Sequence, residues 1–595
     1  MSRARIGIAA LVVIALIAAP AVLPGTYYTY LAIIVFIYGI VAIGLNILAG
    51  YAGQLSLGHA ALMAVGAYTT ALLSKALAPV PFFTATGLHI WLGIVVGTVA
   101  AALFGALLAI PALRVRGPYL AMVTIAFGWV IFKILQEWRS VTGGDLGISG
   151  VPKPRIASLT LIIKQYYYVV LAMFIIALAA QYRLVTSQFG LRLRAMKYSE
   201  IGVASVGVNV FRVKVAVFTL SAAFAGLGGA LFAHQQNYIS PDNFQFFSSV
   251  FFLLAVLFGG AGTLLGPIIG AAVLTLLPEM LHDFDTYRLI VYGVFILITL
   301  YLLPNGVMGA LEGRGRKTLT DRPAGASAEV APRWIAKAEG AMLEVRNISR
   351  SFGGLQALRN VSVQIAPGSV HALIGPNGAG KTTLINILTG FYQADSGEVV
   401  MDGAVLHLRS LSDAALAGIA RTFQTIKLFG DLAVLDHVMV GFARHSQVGI
   451  LGALVGGSRL RSEAERHAAD ARQLIQFVGL HQFENAPASQ LAYGHRRLVE
   501  IARALALRPK VLLLDEPAAG LVAQEIEALA DVIRRLRDCG VTILLVEHHM
   551  DLIVSVSDRI TVLDYGEVIA EGSPAAIQKD PRVVTAYLGK SLAAA

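Results

Sequence analysis

Residues 370–388 read VHALIGPNGAGKTTLINIL, and this stretch decides the fold of the C-terminal half. A short apolar run precedes a glycine-rich loop and a helix-like pattern, the order expected of a phosphate-binding loop. The glycines let backbone N–H groups turn toward phosphates, Lys381 can reach the terminal phosphates and Thr382 can ligate Mg²⁺. An α/β P-loop NTPase domain that binds ATP and Mg²⁺ follows. Its predicted ATP-binding residues here are Gly375, Pro376, Asn377, Gly378, Ala379, Gly380, Lys381, Thr382 and Thr383.

A second apolar run, residues 511–514, reads VLLL and ends at the acidic pair Asp515 and Glu516, followed by Pro517. Four consecutive apolar residues favour a strand that is buried on both faces. Phosphoryl transfer needs one acidic group to hold Mg²⁺ through water and another to orient or deprotonate the attacking water. We assign the first role to Asp515 and the second, catalytic role to Glu516. The alternative is a strand-end acidic turn, capped by Pro517, that does no chemistry.

A third apolar run, residues 541–546, ends at Glu547, His548 and His549. Ligands gather at the carboxyl ends of parallel strands, so either histidine could reach the γ-phosphate of ATP. A histidine elsewhere in the chain would instead be assigned to packing. The run therefore adds a candidate catalytic histidine to the acidic pair.

The N-terminal half has a different composition. The whole chain has 595 residues, a mean hydropathy of +0.69 and only 14% charged residues, which is too apolar for a soluble protein of this length. Long apolar runs fill residues 1–311, whereas residues 342–595 carry the charge density of a soluble domain. Residues 312–341 mix Gly, Ala, Pro and charges without an apolar period, which predicts a flexible linker. We expect a multi-span α-helical membrane domain, this linker and then the α/β P-loop NTPase domain.

The net charge of +11 does not indicate a nucleic-acid partner. The basic residues cluster beside apolar spans, which is the distribution expected of cytoplasmic loops in a membrane protein. The single cysteine, Cys539, excludes an internal disulfide and a cysteine-based metal cluster.

Membrane spans need about 20 mostly apolar residues. Residues 248–280 are too long for one span and contain glycines and Pro267, which favours two short crossings or a re-entrant pair. Arg3 and Arg5 favour a cytoplasmic N-terminus, and the ATPase must lie in the cytoplasm, where ATP is. Both ends on the same side require an even number of crossings. We expect ten, within a range of eight to ten. The first apolar run could instead be a cleaved signal peptide. The other candidate spans are 6–24, 31–50, 58–78, 88–112, 118–136, 166–182, 214–235 and 287–303.

Two segments of the membrane half have a possible role beyond spanning. His59 follows a glycine-rich break that includes Gly53, Gln54 and Ser56 and that could line a substrate path with polar backbone. Simple helix packing is the alternative for these four residues. Residues 188–210 have the length and polarity of an amphipathic helix that seats in a groove on the ATPase, although they could instead lie in the headgroup region.

The motifs of residues 342–590 resemble, in order, those of the ATPase domain of ABC transporters. Phe352 resembles the aromatic residue that stacks on adenine in that family, and His548 aligns with its switch histidine. Gln424 resembles the glutamine that senses Mg²⁺ and contacts the permease. Residues 518–521 resemble the adjoining dimer-contact loop. The resemblance implies an ATP hydrolase that is coupled to transport.

A further segment resembles the ABC signature, which begins LSGGQ in many members. Tyr493 stands where the family has a glycine, and His495 stands where it has a glutamine. In this family the signature completes the phosphate site of another ATPase domain, so the resemblance implies that this chain homodimerises or pairs with another half-transporter. The signature residues are Leu491, Ala492, Tyr493, Gly494 and His495.

Both halves also resemble the branched-chain amino acid importer subfamily. The similarity lies in the tail that ends AYLG at residues 586–589, in Gly44-Leu45-Asn46 and in Arg116-Gly117-Pro118-Tyr119. It implies ATP-driven uptake of branched-chain or related hydrophobic amino acids across the cell inner membrane, with delivery by an extracytoplasmic binding protein. Urea, short amides or aromatic acids are alternative solutes. A homodimeric exporter and a membrane-bound regulatory ATPase are alternative functions, although an exporter should have six long spans.

Overall fold

A computed structural model of the chain describes residues 3–112, 118–156, 159–280, 288–313, 332, 334–335, 339–430, 432–446 and 449–588. The chain divides into two compact units. The membrane unit comprises Met1–Thr186 and Phe211–Lys317, and the ATPase unit comprises Ser187–Val210 and Thr318–Ala595. The ATPase unit thus includes residues 187–210, which the boundaries drawn from sequence place in the membrane domain. Most of the predicted linker, 312–341, lies outside the described residues.

Among the described residues up to 313, most are helical, and four two-residue strands are present. The strands are β1 (Ile148–Ser149), β2 (Arg155–Ile156), β3 (Leu159–Thr160) and β4 (Tyr238–Ile239). The helices are α1 (Arg3–Val22), α2 (Gly25–Leu45), α3 (His59–Leu77), α4 (Pro81–Thr86), α5 (Leu88–Ala112), α6 (Pro118–Glu137), α7 (Arg139–Thr142), α8 (Ile163–Thr186), α9 (Gln188–Tyr198), α10 (Glu200–Ala204), α11 (Val210–Gln236), α12 (Phe246–Gly259), α13 (Gly266–Met280), α14 (Arg288–Leu302) and α15 (Gly306–Gly313).

The predicted multi-span helical domain is confirmed. Within the described residues, seven helical segments are long and apolar enough to cross a membrane, and shorter apolar helices accompany them. The predicted interruption of residues 248–280 is also present, because α12 ends at Gly259 and α13 begins at Gly266. The number of crossings, eight to ten, stays a prediction.

Two breaks in the helices of the membrane unit are joined by one side chain. A π-helical turn, Asn46–Tyr51, follows α2, and non-helical backbone continues to the start of α3. The Asn46 amide donates to the carbonyl oxygen of Thr263 at 2.9 Å and accepts from the Gly262 N–H at 2.8 Å. Non-helical backbone at membrane depth is tolerated where protein groups satisfy its polar atoms. Asn46 therefore stabilises both breaks at once.

Helices α3 and α11 pack with their backbones in close contact. A Cβ added at Gly229 would lie 1.9 Å from the Met63 carbonyl oxygen, and one at Gly66 would lie 2.4 Å from the Gly226 carbonyl oxygen. Small residues at such crossings let membrane helices approach without a gap. Helix α3, which begins at His59 directly after one break, is thereby packed closely against α11.

The C-terminal unit is the α/β domain that the phosphate-loop pattern predicts. Its strands are β5 (Leu343–Phe352), β6 (Leu355–Ile365), β7 (Val370–Ile374), β8 (Ser396–Met401), β9 (Ala404–Val405), β10 (Ile419–Arg421), β11 (Val511–Asp515), β12 (Thr542–Val546), β13 (Arg559–Asp564) and β14 (Glu567–Gly572). Its helices after the linker are α16 (Lys381–Leu388), α17 (Leu411–Ala417), α18 (Val434–Gly441), α19 (Ile450–Val455), α20 (Ser458–Phe477), α21 (Tyr493–Ala506), α22 (Ala523–Asp538), α23 (Met550–Val556), α24 (Pro574–Ile577) and α25 (Pro581–Leu588).

A six-stranded sheet in the order β10-β11-β12-β7-β13-β14 organises this unit, beside a four-stranded sheet in the order β6-β5-β8-β9. Strands β10, β11, β12, β7 and β13 are parallel, and only β14 pairs antiparallel. Every residue of β7, β11 and β12 is buried, as expected for strands covered on both faces. The carboxyl ends of four consecutive parallel strands therefore meet at one edge.

Candidate active site

The predicted catalytic groups follow four neighbouring strands of the six-stranded sheet. Gln424 comes three residues after β10, Glu516 directly after β11, His548 two residues after β12, and the phosphate loop directly after β7. Since these strands are parallel and adjacent, the groups lie along the same edge. Separate motifs, read one at a time from sequence, thus belong to one site.

The phosphate loop has a backbone that requires glycine. Gly375 has φ +151°, and a Cβ there would lie 2.1 Å from the Leu563 carbonyl oxygen. Gly378 and Gly380 also have positive φ. Pro376, Asn377 and Ala379 fill the loop between these glycines, so the predicted motif residues lie together as one turn.

Lys381 begins α16 and folds back over the loop. Its Nζ donates to the carbonyl oxygens of Gly375 at 2.6 Å and Pro376 at 3.0 Å. Burial lowers the pKa of Lys381, and the nearby carboxylates of Glu516 and Asp515 oppose that shift. A cation that exchanges two backbone carbonyls for phosphate oxygens is suited to binding a nucleotide.

The two acidic residues after β11 have different partners. Asp515 is buried, and its Oδ2 accepts from Arg421 Nη2 at 2.8 Å. Glu516 has φ +45°, an uncommon conformation for a residue with a side chain, and its Oε2 accepts from Gln424 Nε2 at 2.8 Å. Backbone strain of this kind concentrates at functional sites. Asp515 is therefore anchored in the protein, whereas Glu516 points toward the glutamine that sequence places in the same site.

The oxygen atoms available here suit Mg²⁺. Thr382, in the first turn of α16, is exposed and offers a hydroxyl; Asp515 offers the carboxylate oxygen that Arg421 does not bind. Gln424 uses its amide nitrogen toward Glu516, which leaves its amide oxygen for a cation. Hydroxyl, carboxylate and amide oxygens are ligands that Mg²⁺ accepts. The residues present fit this ion.

Arg421 and Glu547 were not singled out by sequence reasoning, although each organises the site. Arg421 Nη1 donates to the Asn386 side chain at 2.7 Å, so it joins α16 to Asp515. Glu547 is buried and accepts from the N–H groups of Ala518 at 2.6 Å and His548 at 2.9 Å. Glu547 thereby joins the loop at residues 518–521 to His548. Its position in the EHH run was the available signal.

The histidines and the aromatic residue of the site are partly exposed. The His548 side chain is 55% exposed, and its ring lies 4.6 Å from that of His549. Phe352, at the end of β5, packs its ring against Tyr392 at 5.2 Å and under the Arg350 guanidinium at 4.8 Å. These side chains are accessible to a ligand, as the predicted roles require.

The signature segment leads into α21, as predicted. Gly494 lies against the Glu525 side chain, and a Cβ there would lie 2.3 Å from a carboxylate oxygen of Glu525, so a larger residue would require that side chain to move. The Tyr493 ring lies next to Gly520 of the dimer-contact loop, and the His495 ring packs against Phe483 at 4.9 Å. Both departures from the family pattern thus make packing contacts. The remaining two signature residues, Leu491 and Ala492, precede the helix.

A buried charge cluster holds the loop after β10 to α21, and sequence reasoning missed it. Arg497, Glu500 and Arg503 are each at most 1% exposed, and Glu500 bonds to both arginines. Arg497 donates to the carbonyl oxygens of Phe423 at 2.6 Å and Gln424 at 3.0 Å, and Arg503 donates to that of Lys427 at 2.5 Å. Gln424 is therefore fixed by the signature helix. The sequence signal that could have revealed this cluster was the spacing of its three charged residues at i, i+3 and i+6 on one helix.

Residues 188–210 are seated on the ATPase unit, as the coupling interpretation expects. The Tyr198 ring lies against Gly430, where a Cβ would be 2.2 Å from it, and a Cβ on Gly202 would be 3.0 Å from the Phe429 ring. His437 stacks on Phe429 at 5.1 Å and accepts its N–H at 2.8 Å. Burial lowers the pKa of His437 to about 3, so it stays the neutral acceptor. The seat is continuous with the segment that Arg503 holds.

The predicted substrate-path residues surround the break before α3. His59 and Ser56 are fully buried, and His59 Nε2 bonds to Ser221 at 2.8 Å, whereas Gly53 and Gln54 are at least partly exposed. None of the four contributes to the described lining of a nearby cavity of about 440 Å³. Residues within 57–61, 125–132 and 244–249 line that cavity instead.

A permease-like helical unit and a nucleotide site of this construction in one chain define an ABC transporter. The family model described as the permease component of the branched-chain amino acid transport system matches residues 27–300. The ABC transporter model matches residues 358–519, and the branched-chain amino acid ATP-binding cassette transporter model matches residues 567–593.

The chain belongs to the branched-chain amino acid ABC transporter family and joins its permease and ATP-binding components in one polypeptide. The high-affinity branched-chain amino acid transport ATP-binding protein BraF of Pseudomonas aeruginosa is 40% identical over 252 residues, 42% of this chain and 98% of that protein. LivG of Escherichia coli is 40% identical over 254 residues, again 42% of this chain and 98% of that protein. The ribose import protein RbsA 1 of Rubrobacter xylanophilus is 35% identical over 251 residues, 42% of this chain and 48% of that protein.

These findings make the chain a membrane protein with a cytoplasmic domain that binds nucleotide and hydrolyses ATP. Because the ATPase half is also similar to a ribose import protein, its overall similarity to other ATPases does not distinguish the solute. Information about the solute lies in the permease half and in the short C-terminal match.

Proposed function

We propose that the protein imports branched-chain or related hydrophobic amino acids and drives this import by ATP hydrolysis. The observation that carries the proposal is the match of residues 27–300 to the permease component of branched-chain amino acid transport, in the same chain as a complete set of ATPase motifs. The branched-chain ATP-binding model at residues 567–593 supports it from the other end of the chain.

The ATP site performs hydrolysis through groups with separate tasks. Lys381 and the loop N–H groups bind the phosphates, Phe352 stacks on adenine, and Glu516 orients and deprotonates the attacking water. His548 contacts the γ-phosphate. Gln424 bonds to Glu516 at 2.8 Å, which supports a role in positioning that base. Such a contact lets the loop that carries Gln424 control when Glu516 acts.

Thr382, Gln424 and Asp515 hold Mg²⁺ in this proposal, Asp515 acting through water. The ion, when bound, neutralises charge on the phosphate oxygens. Arg421 orients the Asp515 carboxylate, since its guanidinium lies 2.8 Å from that carboxylate. The protein thus supplies positioning, and the reaction needs no covalent intermediate.

The working unit contains a second ABC half-transporter, either another copy of this chain or a separate permease with its ATPase. The signature, including Tyr493, Gly494 and His495, acts on the partner's ATP, because a helix N-terminus favours phosphate. An extracytoplasmic solute-binding protein delivers the solute, and the assembly lies in the cell inner membrane. The coupling segment, residues 188–210, senses the nucleotide state through its seat near Phe429.

Uptake of labelled leucine tests this function directly. Cells that express the chain with its genomic neighbours should accumulate leucine, and Glu516→Gln should abolish accumulation. If the natural chain hydrolyses ATP but the cells take up no leucine, leucine import is contradicted. Urea and an aromatic acid, supplied in parallel, then show whether one of those solutes is carried.

A further inference from the structure

The cavity of about 440 Å³ in the membrane unit combines an apolar wall with two uncharged polar side chains. Trp129, Phe132, Phe244 and Phe246 supply much of the wall. Among the described lining residues none carries a charge, and such largely apolar cavities of a few hundred Å³ are the usual form of small-molecule sites. A solute with a charged side chain would lose its hydration here without a partner, which costs several kcal/mol or more.

Ser249 provides a hydrogen-bond donor on this wall. It is 3% exposed, and its Oγ accepts the Ala60 N–H at 3.0 Å, in the first turn of the 19-residue helix α3. A hydroxyl has one hydrogen to donate. Within the described part of the chain, the one hydrogen bond given for Ser249 Oγ is the one that it accepts, so its hydrogen is not used there. Accepting an N–H from the positive end of a helix strengthens a hydroxyl as a donor, and an anionic acceptor suits it best.

Gln245 lies four positions before Ser249 in the sequence and completes the polar edge of the cavity. Its Nε2 donates to Asp242 Oδ1 at 2.7 Å, which orients the amide and leaves the carbonyl oxygen as an acceptor. Gln245 is the N-cap residue of α12, and its side chain and that of Ser249 both line the cavity. The cavity wall thus offers both a donor and an acceptor, as a carboxylate and an ammonium on one carbon require.

We propose that this cavity binds the transported solute as an α-amino acid with an uncharged, apolar side chain. Its carboxylate accepts from Ser249, its ammonium donates to Gln245, and its side chain lies against Trp129 and Phe132. This inference rests on the proposed import function and specifies the site at which that function selects its solute.

Equilibrium binding of labelled leucine to the purified full chain in lipid nanodiscs tests the site without requiring transport. Saturable binding should be weakened about tenfold or more by Ser249→Ala, since a hydrogen bond to a charged group is lost. Ser249→Thr, which keeps the hydroxyl, should retain most of the affinity. Ser248→Ala is the matched control, because the Ser248 hydroxyl donates to the Asn243 carbonyl oxygen and lies outside the cavity lining. Unlabelled lysine and aspartate should not compete.

The outcomes separate this site from the function on which it rests. Equal leucine affinity in Ser249→Ala and the natural chain, or no saturable binding by the natural chain, overturns the cavity. Binding that depends on Ser249 without cellular leucine uptake supports the cavity and contradicts import. If leucine uptake depends on Glu516 but leucine affinity does not change in Ser249→Ala, import is supported and the cavity is not the binding site.

Discussion

The edge of the six-stranded sheet gathers fixed charges from four neighbouring strands, whereas the cavity of the membrane unit has aromatic walls and, among the described residues, no charge at all. Asp515 at the ATP site is held by an arginine at 2.8 Å, and Lys381 by two backbone carbonyls. Phosphate recognition requires such groups at fixed spacing. Recognition of an apolar solute instead requires a cavity whose shape fits the solute, and many different sequences can form such a cavity.

The largest effect is expected from removing the base at the ATP site. Glu516→Gln keeps the shape of the side chain and its contact with Gln424, but it cannot accept a proton. The ATPase rate of the full chain in lipid should fall about 100-fold or more, while nucleotide affinity is kept. Glu398→Gln, at an exposed position outside the site, is the control. Turnover near the natural rate would remove Glu516 from its catalytic role.

The difference between the two regions also explains what the sequence could predict. GPNGAGKT and VLLLDEP predict strand, loop and helix because phosphate chemistry fixes both residue type and spacing, so the α/β fold and the grouping of the candidate site residues could be expected from the sequence. The helical membrane domain and its break near residue 260 were predictable because lipid demands long apolar helices.

What sequence could not supply were contacts between distant segments. Glu500 sits between Arg497 and Arg503, but the carbonyl groups that those arginines hold lie more than 70 residues away in the chain. The seat of the 188–210 segment and the walls of the cavity likewise depend on packing between separate helices. A pattern in one segment carries no information about which partner it meets.

Lys381→Ala tests the charged region at its binding step. The ammonium makes charge-assisted bonds to more than one phosphate oxygen, so nucleotide affinity should fall roughly 100-fold. Fluorescent nucleotide titration of the purified chain measures the change. Lys579→Ala, on the exposed tail, should bind as the natural chain does. Unchanged affinity in Lys381→Ala would contradict the assignment of the phosphate loop.

Glu500→Gln tests whether the buried charge cluster stabilises the loop that carries Gln424 in the ATP site. One carboxylate serves both arginines, so a neutral amide weakens two charged hydrogen bonds and should cost about 2 kcal/mol of free energy of unfolding. The thermal transition of the ATPase unit in the full chain should therefore fall. Glu484→Gln, which weakens an exposed pair with Arg472, should cost less than about 1 kcal/mol. If the thermal transition falls by the same amount in both variants, the buried cluster contributes no more to stability than the exposed pair does.

Gly128→Ala tests whether the cavity recognises shape. An added Cβ would meet only the Leu57 carbonyl oxygen, at 4.0 Å, so the methyl group narrows the cavity without displacing backbone. Phenylalanine binding should weaken about tenfold relative to leucine binding, as one methylene in an apolar site can do. Gly293→Ala in α14, where a Cβ meets nothing within 4 Å, is the control. An unchanged ratio would indicate that the solute does not contact Gly128.

The link between chemistry and transport is tested by Tyr198→Ala, for which the smallest effect is expected. The tyrosine ring packs on Gly430, whose φ of +52° and lack of space for a Cβ show that the contact is close. Removing the ring loosens the middle of the coupling segment, where α9 ends, but leaves Glu516 and Lys381 untouched. Leucine uptake should fall about fivefold, which is the lower end of the effects that coupling between two sites typically has on activity. The ATPase rate should equal that of the natural chain. Tyr198→Phe keeps the ring and should transport normally. Equal losses of uptake and ATPase activity would make the segment part of the ATPase fold alone, because a coupling element must affect transport more than hydrolysis.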